Sequence, residues 1–471
     1  MVSVRDFSGL ASDSRAVRPG YLFAALPGGK ANGAQFIADA VKRGAVAVLG
    51  AADARADAEK LGVRFIADEN PRARLAKFAA AFYGMQPKTV AAVTGTNGKT
   101  SVAVFLRQIW ERLGRNAASM GTVGVVTRAG ETSLSHTTPD PIELHARLAR
   151  LAKDGIDHLA LEASSHGLDQ YRLDGVDIAA AGFTNITRDH LDYHPTFEAY
   201  LAAKLRLFTE VVRGDGVAVI NMDAPGGSGV LAAAKARGLK IVTVGETGET
   251  LKLAGCVPHG DGQTLRIAGH GDIELPLAGS FQASNALVAA GLAIGLGDPP
   301  DTVLAALAHL KGAPGRLEKV AYAKSGAPVY VDYAHTPDAL QTVLTAIRPH
   351  IAGRLAVVFG CGGDRDTGKR PLMGKAAAQF ADTVIVTDDN PRSEDPAAIR
   401  RAALAGAPQA REIGDRAQAI AEAIRALDAK DGLVIAGKGH ESGQTIGAVT
   451  RPFSDKDEAV KAAIALGGRA A

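Results

Sequence analysis

The chain has 471 residues, of which 46% are hydrophobic and 22% charged, a balance that excludes a disordered chain; at roughly 150 residues per domain the length suggests about three domains. Its 53 basic and 50 acidic residues leave a formal charge of +3, too weak to imply nucleic acid or a membrane as partner. Two cysteines, Cys256 and Cys361, exclude a disulfide framework and point to a reducing compartment.

The opening residues lack the apolar run of a secretory signal. The longest weakly polar run, 286–297, is too short to span a bilayer, so the expectation is a cytoplasmic protein. Residues 1–87 read as a small first α/β unit with a buried strand at 46–49. A strand at 89–93 opens a second unit, followed by a loop at 94–98. A helix follows, with Val102, Phe105, Leu106, Ile109, Trp110 and Leu113 at helical spacing. Strands at 158–161, 217–220 and 241–244 alternate with helical or turn-rich segments, predicting a parallel sheet with helices on its faces. Between 251 and 277 short alternating runs predict an antiparallel hairpin insert, and helical periodicity returns over 283–294. Residues 311–315, Lys-Gly-Ala-Pro-Gly, form the best linker. Beyond it, strands at 329–331, 355–359, 383–386 and 433–436 alternate with helices in a third α/β unit. The expected domains are therefore 1–87, 88–312 and 313–471.

The strongest local signal is Gly95-Thr96-Asn97-Gly98-Lys99-Thr100-Ser101, between a predicted strand and a predicted helix. Glycines let backbone N–H groups approach phosphate oxygens, and a helix N-terminus adds favourable partial charge. Lys99 would neutralise terminal phosphates and the Thr100 hydroxyl would face a magnesium ion. Only two residues separate Gly95 from Gly98, which speaks against an ordinary GTPase or motor ATPase. Glu162-Ala163-Ser164-Ser165-His166 follows one strand, and the polar stretch 187–194 comes shortly after another. Asp189, His190, Asp192 and His194, read alone, suit a hydrolase-type transition-metal site or a polar loop with satisfied histidines. Thr137-Thr138-Pro139-Asp140 and Gln170-Tyr171-Arg172 suit phosphate or carbohydrate contacts.

Taken together and in order, Thr94-Gly95-Thr96-Asn97-Gly98-Lys99-Thr100, residues 162–166 and 185–194, Tyr200-Leu201-Ala202-Ala203-Lys204, residues 279–285, Asp332-Tyr333-Ala334-His335-Thr336-Pro337 and Gly437-Lys438-Gly439-His440-Glu441 resemble the Mur ligases. These are ATP-dependent amide-forming enzymes of peptidoglycan synthesis, and the resemblance covers essentially the whole chain. Asp389-Asn390-Pro391-Arg392, preceded by Gly360-Cys361-Gly362-Gly363-Asp364-Arg365-Asp366, is similar to the selector motif of members that add meso-diaminopimelate to UDP-N-acetylmuramoyl-L-alanyl-D-glutamate. A guanidinium grips a carboxylate through parallel hydrogen bonds and repels the lysine ammonium, so Arg392 suits that selection.

The resemblance implies an α/β fold of three domains. They are a small N-terminal α/β domain, a central P-loop ATPase-like parallel-sheet domain and a C-terminal Rossmann-like domain. It implies ATP at Gly95, Thr96, Asn97, Gly98, Lys99, Thr100 and Ser101, with Asn285, Arg316, Asp332 and His335 around the nucleotide. Ser12, Ser14, Gly29, Lys30, Ala31, Thr137, Thr138, Ser164, Gln170 and Arg172 would hold the UDP-muramoyl dipeptide. Arg365, Asp389, Asn390, Pro391, Arg392, Gly437 and Glu441 would hold diaminopimelate. Mg²⁺ would lie on Thr100, Glu162, His190 and Lys204 as its carbamate, with Lys99, Lys204 and His190 catalytic. One stretch departs from the pattern: Asn32-Gly33-Ala34-Gln35 stands where many relatives carry Asp-Gly-His. The implied partners are the three small-molecule substrates, in a monomer with neither nucleic acid nor membrane. A nucleotide-gated binding module and a metal-dependent hydrolase stay open on the isolated motifs.

Overall fold

The computed structural model describes residues 4–28, 32–190, 192–260 and 262–471. The chain forms two compact units. The first is Met1–Val244 with Gly248–Thr250 and Gly291–Asp298; the second is Gly245–Thr247, Leu251–Ala290 and Pro299–Ala471.

The first unit begins with a four-stranded parallel sheet in sequence order: Gly9–Ala11, Tyr21–Ala25, Ala45–Gly50 and Arg64–Ala67. Both faces are covered, which is why Leu22, Phe23, Ala24 and Ala25 are all apolar rather than alternating. Leu22 and Ala24 join Leu75, Phe78 and Ala79 of the helix Pro71–Tyr83, whereas Phe23 and Ala25 pack with Ile37, Ala40 and Val48. Ile142, from the helix Pro141–Lys153, packs against the first of these clusters.

A larger sheet follows in the same unit, in the order Lys240–Gly245, Val212–Asn221, Ile178–Phe183, Thr89–Thr94, His158–Glu162, Ala117–Gly121, Gly124–Thr127 and Gly130–Thr132. The first six strands are parallel and the last two antiparallel. Thr89–Thr94 lies between Ile178–Phe183 and His158–Glu162, so the C-terminal ends of three adjacent parallel strands release residues 95–98, 163–166 and 184–190 on one edge. Open parallel sheets bind ligands at that edge.

In the second unit, Leu251–His259, Gly262–Ile267 and Gly271–Leu275 form an antiparallel meander, one strand longer than the expected hairpin. A seven-stranded sheet follows in the order Arg411–Glu412, Thr383–Val386, Leu355–Phe359, Gly432–Ala436, Pro328–Asp332, Glu318–Tyr322 and Arg469–Ala470. Its first five strands are parallel. Leu355, Val357 and Phe359 face one apolar cluster, while Ala356 and Val358 face the other. Its four neighbouring strand ends release residues 387–392, 360–366, 437–441 and 333–335. Among the described residues no helix is long and apolar enough to cross a membrane.

Candidate active site

At the edge of the first unit the chain turns from Thr94 into the helix Lys99–Arg112. Only glycine fits at 95: its φ is 152°, and a Cβ there would lie 1.9 Å from Thr184 Oγ1. No side chain caps the helix, which leaves its first-turn N–H groups for an anion. The loop is held from below by the next strand's exit. Thr96 N donates to Asn185 O (2.9 Å), Asn97 N to Asn185 Oδ1 (3.0 Å), and Thr184 Oγ1 to Asn97 O (2.6 Å). Thr96 Oγ1 accepts from Thr187 N (3.0 Å) and lies 3.0 Å from Tyr200 OH.

Two lysine side chains converge on this loop. Lys99 Nζ donates to Gly95 O (2.9 Å) and Thr96 O (2.8 Å), and Lys204 Nζ donates to the same Gly95 O at 2.6 Å. Lys204 is buried, 4.4 Å over the Tyr200 ring. Burial first, and then the Lys99 charge, hold its pKa well below the usual lysine range. A lowered pKa raises the share of free amine, the form that reacts with carbon dioxide.

Glu162, 1% exposed, ends the neighbouring strand. Its carboxylate accepts from Thr100 Oγ1 (3.1 Å), Thr122 N (2.8 Å) and Thr122 Oγ1 (3.2 Å). A hydroxyl on the first turn of a phosphate-loop helix beside a strand-end carboxylate is the hard-oxygen set that a nucleotide-bound Mg²⁺ takes. These residues fit that ion. The hydrolase-type cluster of Asp189, His190, Asp192 and His194 does not form: among the described residues no group of three or more His, Cys, Asp or Glu is arranged to hold a metal. The rings turn to stacking instead. His166 sits 4.1 Å from the Tyr193 ring, 5.0 Å from His190 and 5.7 Å from His194. Burial and the two neighbouring imidazoles push His166 down to about 4, and burial lowers His190 and His194 as well.

Thr137, Thr138, Ser164, Gln170 and Arg172 form one network around Glu162. Thr137 Oγ1 lies 3.0 Å from Thr122 Oγ1, and Thr138 Oγ1 donates to Glu162 O (2.8 Å) while accepting from Ser164 N (3.1 Å). Arg172 donates to Thr138 O (2.6 Å) and Gln170 Oε1 (2.8 Å). A cavity of about 210 Å³ beside this network is lined by Ser12, Gly28, Arg72, Asp140, Gln170 and Arg172. Ser14 is not on its wall; it is buried in the turn Ser14–Ala16, hydrogen-bonded to Asp39. Gly29, Lys30 and Ala31 lie outside the described residues.

The second unit carries two groups at its sheet edge. In one, Asn285 Nδ2 reaches Gln282 Oε1 (3.4 Å), and Gln282 Nε2 donates to Arg316 O (2.9 Å). The Arg316 guanidinium lies 4.6 Å over the Tyr333 ring, and His335 Nδ1 lies 2.8 Å from Tyr333 O. Asp332 is buried, accepting from Leu317 N (2.6 Å) and Ala334 N (2.7 Å). Burial pushes its carboxyl up to about 6 against the pull of Arg316. Asn285, Arg316, Asp332 and His335 thus come together.

In the other group, Arg392 Nη1 donates to Gly363 O (2.7 Å), and Gly363 N to Asn390 O (2.9 Å). Gly363 is required there, since a Cβ would lie 1.8 Å from Pro391 O. Asn390 Nδ2 donates to Glu441 Oε2 (2.9 Å). A Cβ on Gly437 would meet Asp389 Oδ2 at 2.7 Å. Arg365 is exposed beside Asp364. Sequence reasoning missed the supports beneath: fully buried Lys438 donates to Glu441 Oε2 (3.0 Å) and Gly443 O (2.6 Å). Arg416, paired with Asp455 at 2.6 Å with both side chains fully buried, donates to Ala436 O (2.9 Å). Lys438 could have been found inside its quoted motif; Thr122 and the Arg416–Asp455 pair carry no local signal.

Known proteins resemble this chain along nearly its whole length. Family models match residues 6–83 (Mur ligase family, catalytic domain), 93–293 (Mur ligase middle domain) and 315–439 (Mur ligase, glutamate ligase domain). The chain is 56% identical over 471 residues to a UDP-N-acetylmuramoyl-L-alanyl-D-glutamate–2,6-diaminopimelate ligase of Bradyrhizobium diazoefficiens, covering 98% of this chain and 96% of that one. It is 55% identical to the like-named ligase of Mesorhizobium japonicum, covering 98% and 95%. A solved structure of a ligase of the same name aligns with a TM-score of 0.73 at 37% identity, covering 98% of this chain and 95% of that one.

Proposed function

This chain belongs to the Mur ligase family, and on that premise we propose that it joins 2,6-diaminopimelate, in its meso form, to UDP-N-acetylmuramoyl-L-alanyl-D-glutamate, with ATP cleaved to ADP and phosphate. The observation that carries the chemistry is the uncapped helix behind Gly95, with Lys99 folded over the loop and Thr100 on Glu162.

A carboxylate is a poor electrophile, so the D-glutamate carboxylate oxygen first attacks the γ-phosphorus of ATP, and ADP leaves. The diaminopimelate amine then attacks the acyl-phosphate carbonyl, loses a proton and expels phosphate. Two anions meet in the first step; Lys99 and the loop N–H groups offset that repulsion and stabilise charge on the transferring phosphoryl group. Thr100, Glu162, His190 and Lys204 as its carbamate would hold Mg²⁺, which supplies further charge neutralisation at the phosphates. The depressed pKa of Lys204 favours that carbamate, because its free amine can take up carbon dioxide and release a proton. Asn285, Arg316, Asp332 and His335 serve the nucleotide. Ser12, Thr137, Thr138, Ser164, Gln170 and Arg172 position the UDP-muramoyl dipeptide. Arg392, with Arg365, Asp389, Asn390, Pro391, Gly437 and Glu441, receives the amino acid, its guanidinium recognising the carboxylate that lysine lacks. The protein acts as a cytoplasmic monomer on these three small molecules.

The test is phosphate release with ATP, the UDP-muramoyl dipeptide and each of several amino acids. Diaminopimelate alone supports rapid release; equal rates with lysine, or release without any amino acid, would sink the reading.

A further inference from the structure

The strands Gly443–Ile446 and Val449–Pro452 form a two-stranded surface hairpin that buries almost nothing of its own: every residue of the second strand is exposed. A ribbon of this kind contributes little to a core. Its bonds go instead to the segment 389–392. Gln444 Nε2 donates to Asp389 O (2.8 Å) and Thr445 N to Asn390 Oδ1 (2.9 Å). Arg392 N donates to Thr445 O (3.0 Å), and Gly447 N to Arg392 O (2.6 Å). Arg392 and Ile446 form a parallel bridge, so the arginine backbone is in effect a third strand on the hairpin. Arg392 needs such support, because its φ is +52°, a left-handed conformation in which the Cβ of an L-residue crowds the following carbonyl oxygen. From below, the Lys438 ammonium ties Gly443 O to Glu441.

We propose that this hairpin is the specificity latch of the amino-acid site. Gln444 is its positioning residue, holding Asp389 and through it the Arg392 guanidinium where the distal carboxylate of the substrate must sit. The proposal rests on the reading of Arg392 as carboxylate selector. Gln444 reaches only a main-chain carbonyl in this arrangement, so its effect passes entirely through the segment it holds. Loss of its donor frees Arg392 to sample other conformations, and the loss falls on the amino acid rather than on ATP or the UDP-substrate.

The experiment compares Gln444→Leu, the isosteric Gln444→Glu (which cannot donate to a carbonyl) and Arg392→Met in the full-length enzyme. The readouts are KM for each of the three substrates, kcat, and the ratio of kcat/KM for diaminopimelate to that for lysine. We expect both Gln444 variants to raise KM for diaminopimelate roughly fivefold, the value of one neutral hydrogen bond. They should lower the diaminopimelate-to-lysine ratio and leave the other two KM values and kcat within about twofold. An unchanged ratio in the Gln444 variants, with a collapsed ratio in Arg392→Met, overturns the latch while leaving the selector intact. A parallel rise in all three KM values with a lowered Tm overturns it too, since the hairpin would then be merely structural. A silent Arg392→Met overturns the selector reading itself, and the latch with it.

Discussion

The phosphate loop and the amino-acid loops are built on the same plan, at the C-terminal edge of a parallel sheet, yet they are held in opposite ways. The phosphate loop is seven consecutive residues, 95–101, between one strand and one helix, shaped by Gly95 and braced by the backbone and short side chains of 184–187. The amino-acid loops draw on 360–366, 387–394 and 437–447, and long side chains tie them together: Arg392 to Gly363, Lys438 to Gly443, Glu394 to Arg370 at 2.8 Å, and Arg416 to Asp455. A consecutive motif carries its geometry with it. A dispersed one depends on its ties, so it fails by coming apart rather than by losing a reacting group.

The sharpest way to break this contrast is Lys99→Ala. Its ammonium folds back onto its own loop, donating to Gly95 O and Thr96 O. On the proposed mechanism, removing it takes charge from the phosphoryl transfer while the loop keeps its braces from 184–187. Turnover should fall by on the order of 10³-fold or more. Tm and the KM for diaminopimelate should remain near the parent values, as read by calorimetry and phosphate release. A variant that unfolds, or one that keeps near-normal kcat, would show that the loop does not hold its own shape or that Lys99 does not serve the phosphates.

The counterpart in the amino-acid loops is Asp455→Ala. Arg416 would be left buried without its carboxylate beneath the strand end at Ala436. Breaking a fully buried pair from one side costs about 3–5 kcal/mol. Urea unfolding should register that loss, and activity should fall with stability rather than ahead of it. The double change Arg416→Met with Asp455→Leu removes both charges and should recover most of the loss. A single variant within about 1 kcal/mol of the parent would mean that the buried pair is not what holds these loops.

This contrast also explains what the sequence could disclose. The phosphate loop was legible because glycines, lysine and threonine stand side by side between an apolar strand and a periodic helix. The strands 355–359 and 383–386 were legible because central parallel strands are apolar on both faces. The N-terminal sheet was largely hidden, since its strands are as short as the three residues Gly9–Ala11. The supports of the amino-acid loops were hidden for a different reason. Arg416 and Asp455 lie 39 positions apart on two helices, and each reads as a surface charge until the fold buries it. Gln444 lies 55 positions from the carbonyl it grips.

The smallest effect concerns pH, and it sets the two units against each other. In the first, His145 is 2% exposed in the helix Pro141–Lys153, and burial pushes its pKa down to about 4. Unfolding restores a value near 6.5. Between pH 6.5 and 4 the unfolded chain therefore binds the proton and the folded one resists it, so the stability His145 confers is whole above pH 6.5 and drains as pH falls towards 4. The full effect is on the order of 3 kcal/mol. In the second unit His440 is also pushed down to about 4, but Asp332 is pushed up to about 6 and acts with the opposite sign. Its stability is whole below pH 3.8 and is lost as pH rises through 6, which offsets His440 over the same window. Amide exchange followed from pH 7 to pH 4.5 should thus show the first unit losing protection before the second. His145→Met should remove only its own share of that acid branch in the first unit, since His166 is likewise pushed down to about 4 and keeps the rest, and should leave the second unit unchanged; equal loss in both units, or an acid branch untouched by the substitution, would place the titrating group elsewhere.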